Sequence, residues 1–422
     1  MAAITMTEGA TWAIAMLATG GVIARPWRWP EAVWAVLGAS TLVALSLVPW
    51  REALGAVKRG TDVYLFLAGM MLLAELARQQ GVFDWLAALA ARHANGSANN
   101  LFALVFGVGT AVTVFLSNDA TAVVLTPAVY AVTKVAKAKP LPYLFVCAFI
   151  ANAASFVLPI SNPANLVVFG GHMPPLSSWL ARFCIPSVLS IGATYIALRL
   201  TQRASLREPI ADCVDTPVLP RDGRITAWGL AAAVATLLIA SALDVPLGMP
   251  TLFAGVLTAG IVLLVERRAP WELLRHISWS VLPLVAGLFV LVEGLVRIGL
   301  VQDLTRALQA LTLNSPAAGS WASGMIAALA CNLMNNLPVG LIAGSAISAA
   351  SMPTQVASAL LVGVDLGPNL SITGSLATIL WLVALRREGH HVSAWDFLRL
   401  GVVVTLPALV LALGALSLTS PT

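Results

Sequence analysis

The feature that most constrains the fold is a series of long apolar runs. They recur along the whole chain, at Pro30–Trp50, Val63–Leu76, Leu101–Leu116, Cys184–Leu200, Thr226–Leu243, Leu252–Val265, Val281–Val296 and Leu400–Leu418. A helix that crosses the roughly 30 Å hydrocarbon core of a bilayer needs about 20 apolar residues, whereas the strands of a membrane barrel alternate apolar and polar residues. Only 10% of the residues are charged, against about a quarter in soluble domains. The sequence therefore predicts an all-α, multi-pass protein of the bacterial inner membrane.

Charge and cysteine usage argue against several other classes. The net charge of +5 comes from basic residues in short connections, so it indicates membrane topology rather than a nucleic-acid surface. Four cysteines lie far apart, without metal-ligand spacing, and predict neither a disulfide framework nor a zinc site. They are Cys147, Cys184, Cys213 and Cys331. No cofactor or metal is predicted. Thr11–Ile23 lacks the flanks of a signal peptide and is predicted to be a retained first helix.

The longest polar stretch lies near the middle of the chain, at residues 201–224. Its prolines, mixed charges and lack of an apolar helical face predict an aqueous connector. Its arginines favour the cytoplasmic side, but an earlier loop, 51–59, is also basic, so the absolute topology stays open. The connector divides the chain into a first transmembrane repeat, 1–200, and a second, 225–422.

The two parts resemble each other in their rare polar, glycine and proline residues. LAGMMLLAELARQQGVFDWL, from Leu67, matches VAGLFVLVEGLVRIGLVQDL, from Val285. Each has a small residue and a glycine, an apolar run, one glutamate, a basic residue and a further glycine. Two later pairs of polar breaks follow in the same order. Paired breaks at equivalent positions of two halves indicate the binding site of a secondary transporter.

The first break of each half predicts a re-entrant helix hairpin, because the apolar runs around it are short for ordinary spans. A hairpin tip at membrane depth must be buried in protein or line a cavity, since each unsatisfied backbone group in lipid costs several kcal/mol. The first tip, near 117–121, contains Ser117, Asn118, Asp119 and Thr121. The second tip, near 335–338, contains Asn335, Asn336 and Pro338.

The second break of each half predicts a helix with an unwound middle. Pro159 and Pro163 cannot both lie in a regular helix, because each removes a backbone donor and clashes with the preceding turn. The stretch 159–165 also contains Ser161, Asn162 and Asn165. Its counterpart, 365–375, is interrupted by Gly367, Pro368 and Gly374 and contains Ser371, Thr373 and Ser375. Unwound backbone and polar side chains from the four breaks are expected to converge near the midplane.

Asp119 and Asp365 are the carboxylates within these breaks. A charge at the membrane centre costs at least about 2.5 kcal/mol, so a carboxylate there is protonated, ion-paired or bound to a cation. In one interpretation one of these aspartates takes and releases a coupling proton, with Asp119 as the first candidate and Asp365 as the second. In the other, both aspartates merely cap helix starts. The two roles are compatible, since a cap at a broken helix also faces the cavity.

Glu75 and Glu293 are weaker candidates. Arg78 and Arg297 follow them by three or four positions, so each glutamate is predicted to form an ion pair on its helix surface. The asparagines of the breaks also fit an ordinary role, since Asn is often a cap or turn residue. Their concentration in the four breaks, rather than in the loops, favours a polar binding cavity.

The pattern resembles the ion transporter superfamily, and within it the arsenical-resistance efflux permeases. The resemblance covers nearly the whole chain and depends on LSNDATAVVLTPAVYAV (Leu116–Val132), FIANAASFVLPISNPANLVV (Phe149–Val168), NLMNNLPVGL (Asn332–Leu341) and DLGPNLSITGSLATILW (Asp365–Trp381). It implies two inverted repeats, each with a re-entrant hairpin and a broken helix, arranged as a scaffold and a transport domain. Sodium-coupled members bind sodium at Ser-Asn-Thr tips. Here Asp119 suits a proton instead, and Leu337 argues against a second sodium site.

The resemblance also implies the activity, which is export of arsenite and antimonite driven by inward protons. The substrate site would be lined by Ser117, Asn118, Thr121, Ser161, Asn162, Asn165, Asn335, Asn336, Ser371, Thr373 and Ser375, with Asp119 and Asp365 as the proton-coupling residues. Coupling to a cytoplasmic ATPase subunit in some systems and a homodimer in many members are implied as well. The alternative is a sodium/proton antiporter of the same superfamily. A membrane enzyme or a scaffold fits less well, because the sequence contains no nucleophile–base set or metal constellation.

Overall fold

A computed structural model describes residues 6–170, 173–211, 218–350 and 352–419, and every regular element in these ranges is a helix. The first half contains α1 (Met6–Ala24), α2 (Glu31–Ala44), α3 (Trp50–Arg59), α4 (Thr61–Gln79), α5 (Val82–His93), α6 (Ala98–Phe115), α7 (Asn118–Ala120), α8 (Thr126–Val135), α9 (Leu141–Ala153), α10 (Pro163–Phe169) and α11 (Leu176–Thr201). A π-helical turn, Thr121–Leu125, joins α7 to α8, and a 3-10 turn, Pro159–Ser161, precedes α10.

The second half repeats this order of helices. It contains α12 (Arg221–Ala242), α13 (Gly248–Glu266), α14 (Trp271–His276), α15 (Val281–Arg297), α16 (Leu300–Asn314), α17 (Pro316–Met334), α18 (Asn336–Ala350), α19 (Thr354–Leu366), α20 (Leu376–Arg387) and α21 (Ala394–Thr419). A 3-10 turn, Gly367–Leu370, follows α19. Part of the predicted connector, residues 212–217, lies outside the described residues, as does Cys213.

Six helices of the described chain are long and apolar enough to cross a membrane. They are α6, α11, α12, α13, α17 and α21. Two bent pairs raise the number to eight if each pair is one span: α3 with α4, bent by 48°, and α15 with Leu300–Thr312, bent by 71°. The prediction of an all-α, multi-pass membrane fold is confirmed.

The predicted span Pro30–Trp50 is wrong as a single helix. α2 ends at Ala44, and Ser46 adopts a left-handed φ of 56° while the backbone N–H of Leu47 bonds back to Leu42. Pro49 then provides the start of α3 at Trp50, as a residue without a backbone donor can do at a helix start.

The first arm of the predicted hairpin is longer than the apolar run suggested. α6 has 18 residues and begins at Ala98, because the Ser97 hydroxyl caps it by accepting a hydrogen bond from the Asn100 N–H at 3.3 Å. An N-cap of this kind lets a helix start on polar residues that hydropathy alone assigns to a loop.

Several helix starts in the two halves correspond at one offset. The glycines that precede α5 and α16, Gly81 and Gly299, are both left-handed. The hydroxyls of Ser97 and Ser315 cap α6 and α17 in the same way. At a slightly shorter offset, α9 and α19 end and α10 and α20 begin at positions that the sequence match equates. The structural repeat therefore supports the sequence repeat, while its inversion across the membrane and its limits at 1–200 and 225–422 stay predictions.

Equivalent helices of the two halves each pack on a helix of the opposite half. α4 packs on α13 of the second half, whereas its counterpart α15 packs on α2 of the first half. Both contacts depend on a glycine, since a Cβ atom at Gly69 would lie 2.5 Å from the backbone of Thr251, and one at Gly287 would lie 2.7 Å from that of Ala35. The long helices α11 and α21 pack on each other. This exchange ties the halves into one bundle.

One predicted ion pair forms and the other is wrong. Arg78 donates to Glu75 on the same helix, with an N–O distance of 2.6 Å. Glu293, however, pairs with Arg59 of α3 rather than with Arg297, and Arg297 pairs with Glu52. The reason is tertiary packing, because α3 lies against α15 and brings residues of both charges to its surface.

Candidate functional site

Four helix starts meet at one small cleft. α7, α10, α18 and α20 begin beside it, two from each half, and the cleft has a water-accessible volume of about 20 Å³. Its polar lining consists of Asn118, Asp119, Asn162, Asn336 and Ser375. We call this space the central cleft. All four predicted breaks thus contribute to one place, as expected from their positions in the sequence.

Four of the predicted site residues cap these helices. The Ser117 hydroxyl accepts from Ala120 N–H at 3.1 Å, and the Ser375 hydroxyl accepts from Thr378 N–H at 3.1 Å. The side-chain oxygens of Asn162 and Asn335 accept from Ala164 N–H at 3.0 Å and from Leu337 N–H at 3.4 Å. Capping satisfies backbone donors that would otherwise be orphaned at the break. These residues therefore fix the four helix starts around the central cleft.

Asp119 does not cap, because Ser117 already does. It lies in the first turn of α7, half-buried, and it is the one ionisable side chain among the described residues that line the cleft. Its carboxylate has no hydrogen bond or ion pair to any described residue. A carboxylate at a helix amino terminus is favoured by the local dipole. The Asp119 carboxylate thus faces the cleft without a protein partner among the described residues.

Asp365 lies behind the cleft rather than in it. It is fully buried, and its Oδ1 accepts a hydrogen bond of 2.8 Å from the Asn162 amide. Its Oδ2 has no partner among the described atoms. The predicted break at 365–375 starts too early, since α19 continues through Leu366 and the chain departs from it at Gly367. Asn162 therefore lies between Asp365 and the central cleft, and its amide is hydrogen-bonded to Asp365.

Three predicted site residues stabilise the two breaks of the first half through hydrogen bonds. Thr121 shares a hydroxyl hydrogen bond of 2.8 Å with Thr113 of α6. Ser161 donates to the Val114 carbonyl at 2.9 Å, which ties the broken helix to the hairpin. Asn165 donates to the Ser155, Leu158 and Pro159 carbonyls. Each is buried, and none is among the residues that line the central cleft.

Asn332 organises the corresponding region of the second half, and the sequence reasoning did not place it among the site residues. Ser371 donates to its side-chain oxygen at 2.6 Å, and Thr373 donates to its carbonyl at 3.3 Å. Its own amide donates to the Gly367 carbonyl at 3.1 Å. Ser371 and Thr373 thus face Asn332 rather than the central cleft. The sequence signal that could have identified Asn332 is an asparagine within an apolar helix, shortly before a predicted tip.

A second buried network joins the broken helices of the two halves. The Asn152 amide donates to the Asn369 side-chain oxygen at 2.9 Å, and the Asn369 amide donates to the Phe149 carbonyl at 3.0 Å. Asn152 also reaches the Thr378 hydroxyl at 3.4 Å. Both asparagines are fully buried, where an unpaired polar group would cost about 1–3 kcal/mol. The network fixes α9 against the 3-10 turn Gly367–Leu370 and the first turn of α20.

The described residues contain no cluster of three or more His, Cys, Asp or Glu that could hold a metal ion. Cys147 and Cys331 are buried and belong to different helices, and Cys331 donates to the Val364 carbonyl at 3.6 Å. The polar chemistry of the site is therefore that of hydroxyl, amide and carboxyl groups.

Comparison with known proteins identifies the chain's relatives. Residues 14–363 match a family model described as citrate transporter. The arsenical pump membrane protein of Escherichia coli K12 is 28% identical over 369 residues, covering 83% of this chain and 84% of that protein. An uncharacterised transporter of Mycobacterium tuberculosis is 27% identical over 392 residues, covering 90% and 91%. The predicted resemblance to the arsenical-resistance permeases is thereby confirmed.

A solved structure shares the fold. The YdaH transporter of Alcanivorax borkumensis, whose crystal structure has been described as revealing an unusual topology, matches with a TM-score of 0.62 at 17% identity. The match covers 92% of this chain and 97% of that one. Together with the apolar helices, the family match shows that the chain is a multi-pass membrane transporter, and that it belongs to the citrate transporter family.

Proposed function

We propose that this chain exports arsenite and antimonite from the cytoplasm, with protons moving inward as the driving force. The observation that carries the proposal is the composition of the central cleft, in which neutral amide and hydroxyl side chains surround a single carboxylate, Asp119. Relatives named arsenical pump membrane proteins, aligned over most of the chain, support the choice of cargo.

The cargo chemistry suits this lining. Arsenite at neutral pH is an uncharged, pyramidal trihydroxide that offers both donors and acceptors. The amides of Asn118 and Asn336 supply either role, and neither side-chain NH₂ group donates a hydrogen bond to a described residue, so both can donate to cargo. Cysteine capture is not required, and weak multiple hydrogen bonds allow the cargo to leave again.

Asp119 is the proposed proton carrier, and Asp365 the second candidate. Asp119 faces the cleft without a partner among the described residues, so its protonation and cargo binding share one space. Entry of one positive charge per cycle contributes about 2.3 kcal/mol per 100 mV of membrane potential. That energy is sufficient to move a neutral solute outward against its gradient.

A carboxylate substrate is the second candidate function. Four helix starts point at the cleft, and helix amino termini favour anions; the matching family model is described as citrate transporter. Against it, the described lining contains Asp119 and neither Lys nor Arg. A multivalent anion in this cleft would meet a like charge and no cationic side chain.

Reconstitution in liposomes tests the proposal. We expect arsenite flux that depends on an imposed proton gradient and exceeds citrate flux measured in the same vesicles. Asp303→Asn, which alters an exposed carboxylate on α16, serves as the control for Asp119→Asn. Citrate flux without arsenite flux would contradict arsenite export and support the second candidate function, transport of a carboxylate substrate. Sodium-dependent proton movement with neither solute would indicate the sodium/proton antiporter.

A further inference from the structure

A second cavity lies at the end of α11, away from the central cleft. Its water-accessible volume is about 320 Å³, and three arginines line it: Arg199, Arg203 and Arg207. Arg199 lies in the last turn of α11, and the other two follow in the chain that leaves the helix. We call this cavity the arginine pocket.

The three arginines are exposed, and none forms an ion pair with a carboxylate among the described residues. The guanidinium of Arg199 lies over the ring of Tyr195, 5.9 Å from its centroid. Glu208, the nearest acidic residue in sequence, pairs instead with Lys139. Three like charges around one cavity repel each other, so an anion that enters it relieves that repulsion.

Two residues of the pocket lining are apolar and exposed. Ile196 and Leu200 line it and are 58% and 60% exposed, on a helix long and apolar enough to span the membrane. Side chains of this kind at the end of a span face lipid acyl chains. The arginine pocket thus combines cationic and apolar side chains, as an amphiphile requires.

The pocket has a fixed position relative to the helices around it. The Asn99 amide, at the start of α6, donates to the Leu206 carbonyl at 3.0 Å, and Ile210 N–H donates to the Gly96 carbonyl at 3.3 Å. These bonds hold the chain that carries Arg203 and Arg207 against the α5–α6 loop. The arginines are therefore positioned by the fold.

We propose that the arginine pocket binds an anionic phospholipid, with its phosphate between the three arginines and its acyl chains along Ile196 and Leu200. Arginine matches phosphate oxygens with several donors in one plane. Basic residues at a membrane edge attract anionic head groups, and basic pockets between transmembrane helices hold them. The site is separate from the central cleft and does not depend on the identity of the transported solute.

Native mass spectrometry of the purified, delipidated full-length chain, titrated with phosphatidylglycerol or phosphatidylcholine, tests the proposal. We expect phosphatidylglycerol to bind more tightly, and each arginine replaced by glutamine to weaken it roughly fivefold. The triple variant R199Q/R203Q/R207Q should then bind on the order of 100-fold more weakly. A triple Arg→Lys variant keeps the charge but loses the planar donors, so its affinity should lie between those of the wild type and the glutamine variant, which separates loss of charge from loss of folding.

The matched control removes three exposed arginines elsewhere: R275Q/R386Q/R387Q. If this control weakens binding as much as the pocket variant, attraction is general and the site is refuted. Equal affinity for phosphatidylcholine would refute it as well. If glycerol phosphate displaces the lipid at equal concentration, the pocket recognises a free phosphate and the acyl-chain assignment is wrong.

Discussion

The two halves of the chain place their helix ends alike but carry their carboxylates at different positions. Asp119 lies in the first hairpin tip, and the equivalent position in the second tip is Leu337. Asp365 ends α19, and the equivalent position at the end of α9 is Asn152. Each half thus has one carboxylate where the other has a neutral side chain.

Burial differs between these carboxylates as well as position. Asp119 lines the central cleft, whereas Asp365 is sealed behind Asn162. A repeated backbone can therefore build a symmetrical cleft while a few substitutions make its chemistry asymmetrical. The fold therefore sets where the four breaks meet, and individual side chains determine the chemistry of the cleft that they form.

Removing Asp119 should have the largest effect. Asp119→Asn keeps the shape of the side chain but cannot carry a proton, so gradient-driven arsenite flux should fall by about two orders of magnitude. Arsenite exchange without a gradient should persist, since the amides of the cleft remain. Radiotracer or mass-spectrometric flux in liposomes measures both. Full gradient-driven flux in Asp119→Asn would remove the proton assignment and leave the fold untouched.

Moving the carboxylate to the other half tests whether the two hairpin tips are interchangeable. Asp119 and Leu337 line the same cleft at equivalent positions, so Leu337→Asp in an Asp119→Leu background should recover part of the lost gradient-driven flux. Flux measurements on both variants, prepared side by side, decide the matter. No recovery, from a variant that binds arsenite normally, would mean that the proton needs the first tip itself.

The next largest effect concerns the two capping residues of the broken helices. Asn162→Ala removes a cap and also leaves buried Asp365 without its donor, so it should destabilise the protein by about 2–4 kcal/mol. Ser375→Ala, at the equivalent position, removes a cap and one hydroxyl hydrogen bond to Thr378 but leaves no buried carboxylate without a donor, so it should cost about 1–2 kcal/mol. Thermal unfolding in detergent measures the difference. Equal costs would show that the bond between Asn162 and Asp365 contributes little, and adding Asp365→Asn to Asn162→Ala should recover part of the loss.

The packing between halves gives a smaller and more symmetrical effect. Gly69→Ala and Gly287→Ala each place a Cβ atom within 2.7 Å of a neighbouring backbone, so each should cost about 1–3 kcal/mol by overpacking. Gly192→Ala has open space around its Cβ and should be neutral or slightly stabilising, because alanine favours helix. Unfolding midpoints of the three variants provide the test. If Gly69→Ala had the same unfolding midpoint as Gly192→Ala, α4 and α13 would have to move apart at little cost in free energy.

The sequence predicted the breaks because their residues are conspicuous in apolar surroundings. Paired prolines, as at Pro159 and Pro163, and asparagine at a tip have few roles inside a membrane helix. The same residue types begin or end many of the helices. Because they occur in the same order in both halves, the sequence alone indicates the repeat. Partners far apart in the chain were not predictable in this way. Asn152 contacts Asn369, and Asn332 gathers Ser371, only because tertiary packing brings those helices together.

Exposure explains why the ion pairs of the two halves should contribute least. Glu75 pairs with Arg78 within one helix, whereas Glu293 pairs with Arg59 of a neighbouring helix. Arg59 is 60% exposed, and exposed pairs contribute about 0–1 kcal/mol. A double-mutant cycle of Glu293→Gln and Arg59→Gln should therefore give a coupling energy below about 1 kcal/mol. A much larger value would mean that this pair, unlike its counterpart, holds α3 against α15.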